Sequence, residues 1–268
     1  MRNLTRNIFL MLSFFSSLIA RDNFVFAPLP TEDRETVYND FYPMIKYLEK
    51  KLNITISVVY YDKYEEIIKN ISEGKVDLAY LGPLPYVALK EKFNDVAPLV
   101  TFKDKEGLTS YTCSLVTSMH TTKKEKVALT QPLSTCGYLS VNTLLDKNLE
   151  KYHYKYVGRH DLVALKILQG EFDLGGIKSD IVKHYYHLGL QEIAITKPFP
   201  MFAMVANTQS VSKDRVKEFR HALLNVETKE LATWGGSIKY GTVETNDTNY
   251  NPIREMKKNI TIPLNGNF

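Results

Sequence analysis

The stretch Ile54–Phe102, ITISVVYYDKYEEIIKNISEGKVDLAYLGPLPYVALKEKFNDVAPLVTF, decides the fold. Ile54 to Tyr60 is rich in β-branched residues and reads as a strand, and Tyr64 to Glu73 repeats its apolar residues at helical spacing until Gly74 ends it. Val76 to Leu81 is a short apolar run, Leu84 to Phe93 is helical after a Gly-Pro turn, and Val96 to Phe102 is a third strand. Upstream, Asn23 to Ala27 reads as a strand and Tyr38 to Lys51 as a helix with Phe41, Ile45, Leu48 and Leu52 on one side. Strands and helices alternating over such short turns imply a parallel sheet covered by helices on both faces, an α/β fold.

The alternation restarts beyond the charged turn Lys103-Asp104-Lys105-Glu106-Gly107. Strands are expected at Tyr111–Thr117, Lys126–Leu129, Lys155–Val157, Leu174–Ile177, Ile193–Thr196 and Phe202–Ala206, with helices at Gly137–Leu149, Leu162–Gln169 and Ser179–Leu188. Ser212 is placed to cap a helix Lys213–Leu224, and a last short helix runs to Trp234 before a polar tail. Two α/β units suit the length. The turn near Gly107 and the segment Pro198-Phe199-Pro200 would be the two crossings of a chain that visits one unit, then the other, and returns, which leaves a cleft able to close by hinge motion.

Composition narrows the function classes. With 268 residues, 44% hydrophobic, 13 Gly and 11 Pro, the chain is neither disordered nor collagen-like. A formal charge of +4 without a dense Lys/Arg stripe argues against nucleic acid as a partner. Met1–Ala20, MRNLTRNIFLMLSFFSSLIA, has two arginines, an apolar run from Ile8 to Ile19 and a small residue before Arg21, the layout of a signal peptide cleaved after Ala20. Leu18 is bulky for a cleavage site, so an uncleaved anchor is the competing reading; both take the chain out of the cytoplasm. Cys113 and Cys136 are the only cysteines. An oxidising compartment permits their pairing, which spacing alone leaves open.

Three segments stand where strands hand over to helices, at the edge where free N–H groups and positive dipole ends collect. Pro132-Leu133-Ser134-Thr135-Cys136-Gly137-Tyr138 offers two hydroxyls, backbone donors and a glycine, a set suited to a tetrahedral oxyanion or, more plainly, to a helix N-cap. In Gly158-Arg159-His160-Asp161 the imidazole of His160 could reach the same anion, with Asp161 as a cap. In Tyr80-Leu81-Gly82-Pro83-Leu84-Pro85-Tyr86 the glycine and prolines sharpen the exit from a strand, as ordinary capping also does.

These segments, together with Phe41-Tyr42-Pro43-Met44-Ile45-Lys46-Tyr47-Leu48-Glu49 and Val76-Asp77-Leu78-Ala79-Tyr80-Leu81-Gly82-Pro83, make the chain resemble the phosphate, phosphite and phosphonate class of periplasmic substrate-binding proteins of ABC transporters. The resemblance implies a type II two-lobed α/β fold with two hinge crossings and a central cleft. Residues 21–105 and 205–268 would form one lobe and 106–204 the other. It further implies that Ser134, Thr135 and the backbone at Cys136 hold the oxyanion and that His160 donates beside them. The family usually has Ser in place of Cys136, so a hydroxyl contact is lost. Thr31 matches a polar loop, Tyr64 and Tyr80 aromatic positions lining the cleft, and Tyr111 a wall on the crossing strand. Asp180 falls on one acidic position that faces a ligand amine in aminophosphonate binders, whereas the other is Phe202. Lys178 would favour a more anionic or non-aminated ligand.

The implied protein is a monomeric periplasmic receptor for a small anionic ligand, working with an ABC permease, with no catalytic residues, metal or cofactor. Two alternatives stay open at this level. A ligand-sensing subunit of a membrane receptor kinase needs the same closed state. A hydrolase would use Cys136 as nucleophile and His160 as base.

Overall fold

The computed structural model describes residues 23–268, so the reading of residues 1–20 as a leader lies outside the described residues. The chain runs β1 (Asn23–Pro28), α1 (Arg34–Leu52), β2 (Thr55–Val58), α2 (Tyr64–Ser72), β3 (Leu78–Leu81), α3 (Pro83–Lys92) and β4 (Val96–Phe102). It crosses by β5 (Ser110–Tyr111) into β6 (Cys113–Ser118), β7 (Lys126–Thr130), α4 (Tyr138–Leu144), β8 (His153–Gly158), α5 (His160–Leu168), β9 (Leu174–Lys178), α6 (Ser179–Val182) and β10 (Leu190–Ile195). It returns through β11 (Phe199–Pro200) to β12 (Ala203–Asn207), α7 (Lys213–Leu224), α8 (Thr228–Leu231), β13 (Thr242–Glu244) and α9 (Asn251–Lys257).

Two sheets result, ordered β13-β4-β12-β3-β1-β2 and β10-β6-β9-β7-β8, each the centre of one lobe. In the first, β1 pairs in parallel with β2 and β3, as the alternation implies. The departure is β12, which lies antiparallel between β3 and β4 and keeps those two from pairing. Its five residues, Ala203-Met204-Val205-Ala206-Asn207, are all buried, as a central strand covered on both faces requires. Membership of the first sheet therefore begins at 203, two residues before the expected boundary. The second sheet mixes parallel pairs around β7 with antiparallel β6 and β10.

The two crossings pair with each other: β5 and β11 form an antiparallel ribbon, Tyr111 opposite Phe199 and Ser110 opposite Pro200. Three elements are shorter or more broken than their sequence patterns imply. Tyr111–Thr117 is interrupted at Thr112, Gly137–Leu149 stops being helical at Leu144, and Ser179–Leu188 tightens into a 3₁₀ turn after Val182.

Helix α1 buries Val37, Phe41, Met44, Ile45 and Leu48 on the first sheet, and Asp33 caps it by accepting from Thr36 N–H at 3.0 Å. The largest apolar cluster holds the first lobe and also takes in Leu133, Cys136 and Leu139 from the second, so the lobes meet in a closed arrangement. After α9 the chain leaves the first lobe, and Asn267 pairs with Tyr154 of β8, its N–H to the Tyr154 carbonyl at 3.0 Å and its Oδ1 to the Tyr154 N–H at 2.7 Å.

Candidate functional site

Between the lobes lies a cavity of about 420 Å³ lined from both sides. The first lobe contributes the loop after β1 with Thr31, Glu32 and Asp33, then Asp40 and Phe41 of α1, Tyr80 of β3, and the loop Gly235-Gly236-Ser237. Across it stand Arg159, His160 and Asp161 at the start of α5 and Lys178, Asp180 and Ile181 where β9 turns into α6. This is the edge to which parallel strands deliver their helices. A second space of about 570 Å³ continues past Lys178 and Asp180 to Tyr111 on the crossing ribbon.

Of the residues singled out from sequence, Thr31, Tyr80, His160 and Asp180 line the first cavity, and Tyr111 and Asp180 the second. Ser134, Thr135, Cys136 and Tyr64 line neither. Their turn is a buttress between lobes. The Thr135 hydroxyl accepts from the Leu84 N–H of α3 at 3.1 Å, and Gln131 takes the Tyr64 N–H at 3.0 Å. Inside the turn, Ser134 N–H donates to the Gln131 carbonyl at 2.9 Å and Gly137 N–H to Ser134 at 3.0 Å. Ser134, Thr135 and the Cys136 backbone are the groups expected to hold an anion; in this arrangement Ser134 and Thr135 bond the turn and the neighbouring lobe. Ser134, Thr135 and Cys136 are accordingly buried.

Cys136 is bonded to Cys113, with Cα atoms 5.1 Å apart. The pairing left open by the sequence is made, and the sulfur assigned to a nucleophile in the hydrolase alternative is in a disulfide, not a thiolate. Among the described residues no group of three or more His, Cys, Asp or Glu is placed to hold a metal ion.

His160 is held as a neutral ring in the cavity lining. Its Nδ1 accepts from the Lys178 N–H at 3.3 Å, which puts the ring proton on Nε2. Burial, reinforced by the Lys178 cation, pushes its pKa down to about 4, so the ring stays uncharged at neutral pH. Burial likewise pushes the phenols of Tyr64, Tyr80 and Tyr111 well above their usual range, which keeps them as O–H donors. Tyr80 donates to or accepts from Ser237 at 3.0 Å and stacks on Phe202 at 5.2 Å, with Phe41 edge-on at 4.9 Å.

The cavity is bipolar. On the second-lobe side each cation has a carboxylate two residues on: Arg159 grips Asp161 through two bonds of 3.1 and 2.9 Å, and Lys178 meets Asp180 at 3.0 Å. Burial alone would raise the Asp180 pKa, and the Lys178 cation outweighs it and leaves the carboxylate below its usual range. Lys178 is thus partnered, and its expected preference for a more anionic ligand is offset by Asp180. On the first-lobe side Glu32 and Asp40 have no such cation in contact. Burial raises both pKa values; neighbouring acids add to the rise of Glu32, while Lys239 and the Gly236 N–H partly relieve Asp40.

Asp40, Glu32, Arg159 and the Gly235–Gly236 pair were not singled out from sequence. The pair is a legible cue, because paired glycines mark a close backbone approach. A Cβ on Gly235 would lie 2.6 Å from the Asp40 Cα, a clash no rotamer relieves. Gly235→Ala is expected to destabilise the fold by about 1–3 kcal/mol and to displace Asp40. Thermal unfolding checks this, and an unchanged midpoint would remove the reason given for the glycine.

Two lobes joined by a paired ribbon, with a polar cavity lined from both, define a hinged solute-binding protein. The chain belongs to the family of periplasmic substrate-binding proteins of phosphonate ABC transporters, whose sequence pattern matches residues 26–250. A curated relative, the phosphate-import protein PhnD of Mycolicibacterium smegmatis, is 26% identical over 169 residues, 56% of this chain and 53% of that protein. The match therefore spans about half the length of that relative. Among solved structures, the binding-protein component of an ABC phosphonate transporter from Pseudomonas aeruginosa superposes with a TM-score of 0.76 at 16% identity, covering 88% of this chain and 86% of the other. PhnD1 of Prochlorococcus marinus, solved with methylphosphonate, gives 0.75 at 14% identity, covering 88% and 97%. At such identities these two establish the fold.

Proposed function

We propose that the protein captures a small phosphorus oxyanion in the periplasm and presents it in the closed form to an ABC permease. The leader at residues 1–20 would direct export, and the two lobes would move about the β5–β11 ribbon. The observation that carries this reading is the inter-lobe cavity, in which a neutral His160 faces residues of the opposite lobe. Opening would separate Thr135 from Leu84 and free the Thr135 hydroxyl to meet the anion together with His160, while the Ser134 and Gly137 N–H groups stay bonded within the turn. Reclosure would exclude water, which strengthens each donor bond. Complementarity to a resting ligand and a hinge suffice for this task, and no activated nucleophile is required.

The bipolar lining specifies the rest of the ligand. An oxyanion beside His160 leaves its substituent facing Glu32, which is exposed, and Asp40, which is partly buried; desolvation raises both pKa values, only partly offset by Arg159 at Glu32 and by Lys239 and the Gly236 N–H at Asp40. A cationic substituent would relieve that cost, and a methyl group would not. Calorimetry with phosphate, phosphite, methylphosphonate and 2-aminoethylphosphonate tests both parts. Binding of any of them supports the oxyanion reading, and 2-aminoethylphosphonate is expected to bind about tenfold more tightly than methylphosphonate. Silence with all four would overturn the ligand class.

A further inference from the structure

The tail after α9 joins the lobes a third time, and its position relative to the two covalent crossings gives it a mechanical role. Its first-lobe end is fixed: Lys257 pairs with Glu91 of α3 at 2.8 Å, and Arg254 pairs with Asp247 at 2.5 Å. Ile260 and Ile262 then pack on core clusters of both lobes. From Pro263 onward the contacts are to the second lobe. The Tyr156 hydroxyl donates to the Pro263 carbonyl at 2.7 Å, and Asn267 Nδ2 donates to the Tyr152 carbonyl at 2.8 Å, besides its two bonds to Tyr154. Phe268 packs its ring near those of His153 and Phe172, at 5.8 and 6.0 Å. A Cβ on Gly266 would come within 2.5 Å of the Tyr154 carbonyl oxygen, so the tail presses directly on β8.

Sheet order supplies the lever. The crossing strands β5 and β11 lead to β6 and from β10, which are neighbours at one side of the second sheet, while β8 is the strand at its other edge. Four strand spacings separate β10 from β8, about 19 Å. Rotation about the ribbon moves the β8 side furthest, and that is the side on which the tail spans the gap.

We propose that residues 258–268 are a strap that opposes opening and so raises the population of the closed form. Between the Lys257 anchor and Pro263 only residues 258–262 can extend, six Cα–Cα steps, which limits the gap they bridge to about 20 Å fully stretched. A wider opening must peel the tail from β8, and this costs its hydrogen bonds and the packing of Ile260 and Ile262. A strap of this kind tightens ligand retention without touching the ligand, because apparent affinity scales with the closed population. The proposal assumes the hinged closure described above, not any particular ligand.

The test compares the wild-type protein with a chain ending at Ile262 and with Gly266→Val, which keeps the full length but cannot seat against Tyr154. Small-angle X-ray scattering of the ligand-free proteins is expected to give a larger radius of gyration for both variants, their thermal unfolding remaining cooperative. Methylphosphonate, followed by the fluorescence of Trp234 beside the cavity loop, is expected to dissociate about fivefold faster from both. Equal radii of gyration in all three proteins would overturn the strap. Absence of any methylphosphonate signal in all three would count against the ligand reading alone, since the scattering comparison decides the strap without ligand.

Discussion

Replacing His160 by alanine is expected to weaken phosphorus-oxyanion binding by about 10- to 100-fold, the scale of one lost hydrogen bond to a charged group. The imidazole is held by the Lys178 N–H on one nitrogen, so a single defined donor is lost and no charge is removed. Calorimetry at neutral pH checks the effect, and unaltered affinity would show that His160 does not touch the ligand. The same residue leaves a mark on stability. Its folded pKa, about 4, lies below the ordinary histidine value near 6.5, so on acidification the unfolded chain takes the proton first. The stabilising contribution is complete above pH 6.5 and is lost as pH falls from there towards 4, to a total of about 3 kcal/mol. Melting curves of His160→Gln should lack that part of the acid slope, and identical slopes in the two proteins would refute the assignment.

Removing the disulfide is the second large effect expected. The bond between Cys113 and Cys136 spans a sequence separation of 23. Releasing a loop of that size from the unfolded ensemble costs about 3 kcal/mol in the chain-entropy account. For a chain of this length the double replacement Cys113→Ser, Cys136→Ser should lower the melting temperature by about 10 °C, and a reductant should do the same to the wild-type protein. The bond also ties the first strand after the crossing to the turn that buttresses α3, so ligand affinity should fall along with stability. An unaltered melting temperature in the oxidised wild type and the double variant would mean that the bond is not formed in solution.

The strand and helix alternation was readable because buried strands here are short apolar runs and α1 and α2 carry their apolar residues at helical spacing. Thr31, Tyr80, His160 and Asp180 reach one cavity for the same reason, since strand ends and helix starts of each lobe collect at one edge. The inter-lobe contacts of the Ser134 turn were not readable. Ser-Thr ahead of a helix looks the same whether its hydroxyl meets a ligand or, as Thr135 does, the N–H of a helix in the other lobe. Glu32 and Asp40 belong to no short motif, and only Gly235–Gly236, almost two hundred residues away in the chain, hints that something approaches closely. The tail escaped for want of any periodicity: its contacts with β8 come from one proline carbonyl, one glycine, one asparagine and the ring of Phe268.

The antiparallel strand at the heart of the first sheet has a consequence for how the polypeptide reaches its native state. Until Ala203–Asn207 has been made and has come back from the second lobe, β3 and β4 have no partner on their shared side. An N-terminal half alone therefore cannot complete its own sheet, and the closing contact joins residues more than a hundred positions apart. Completion of this sheet is consequently non-local and slow by topology, and until that strand arrives an unfilled slot separates two apolar strands.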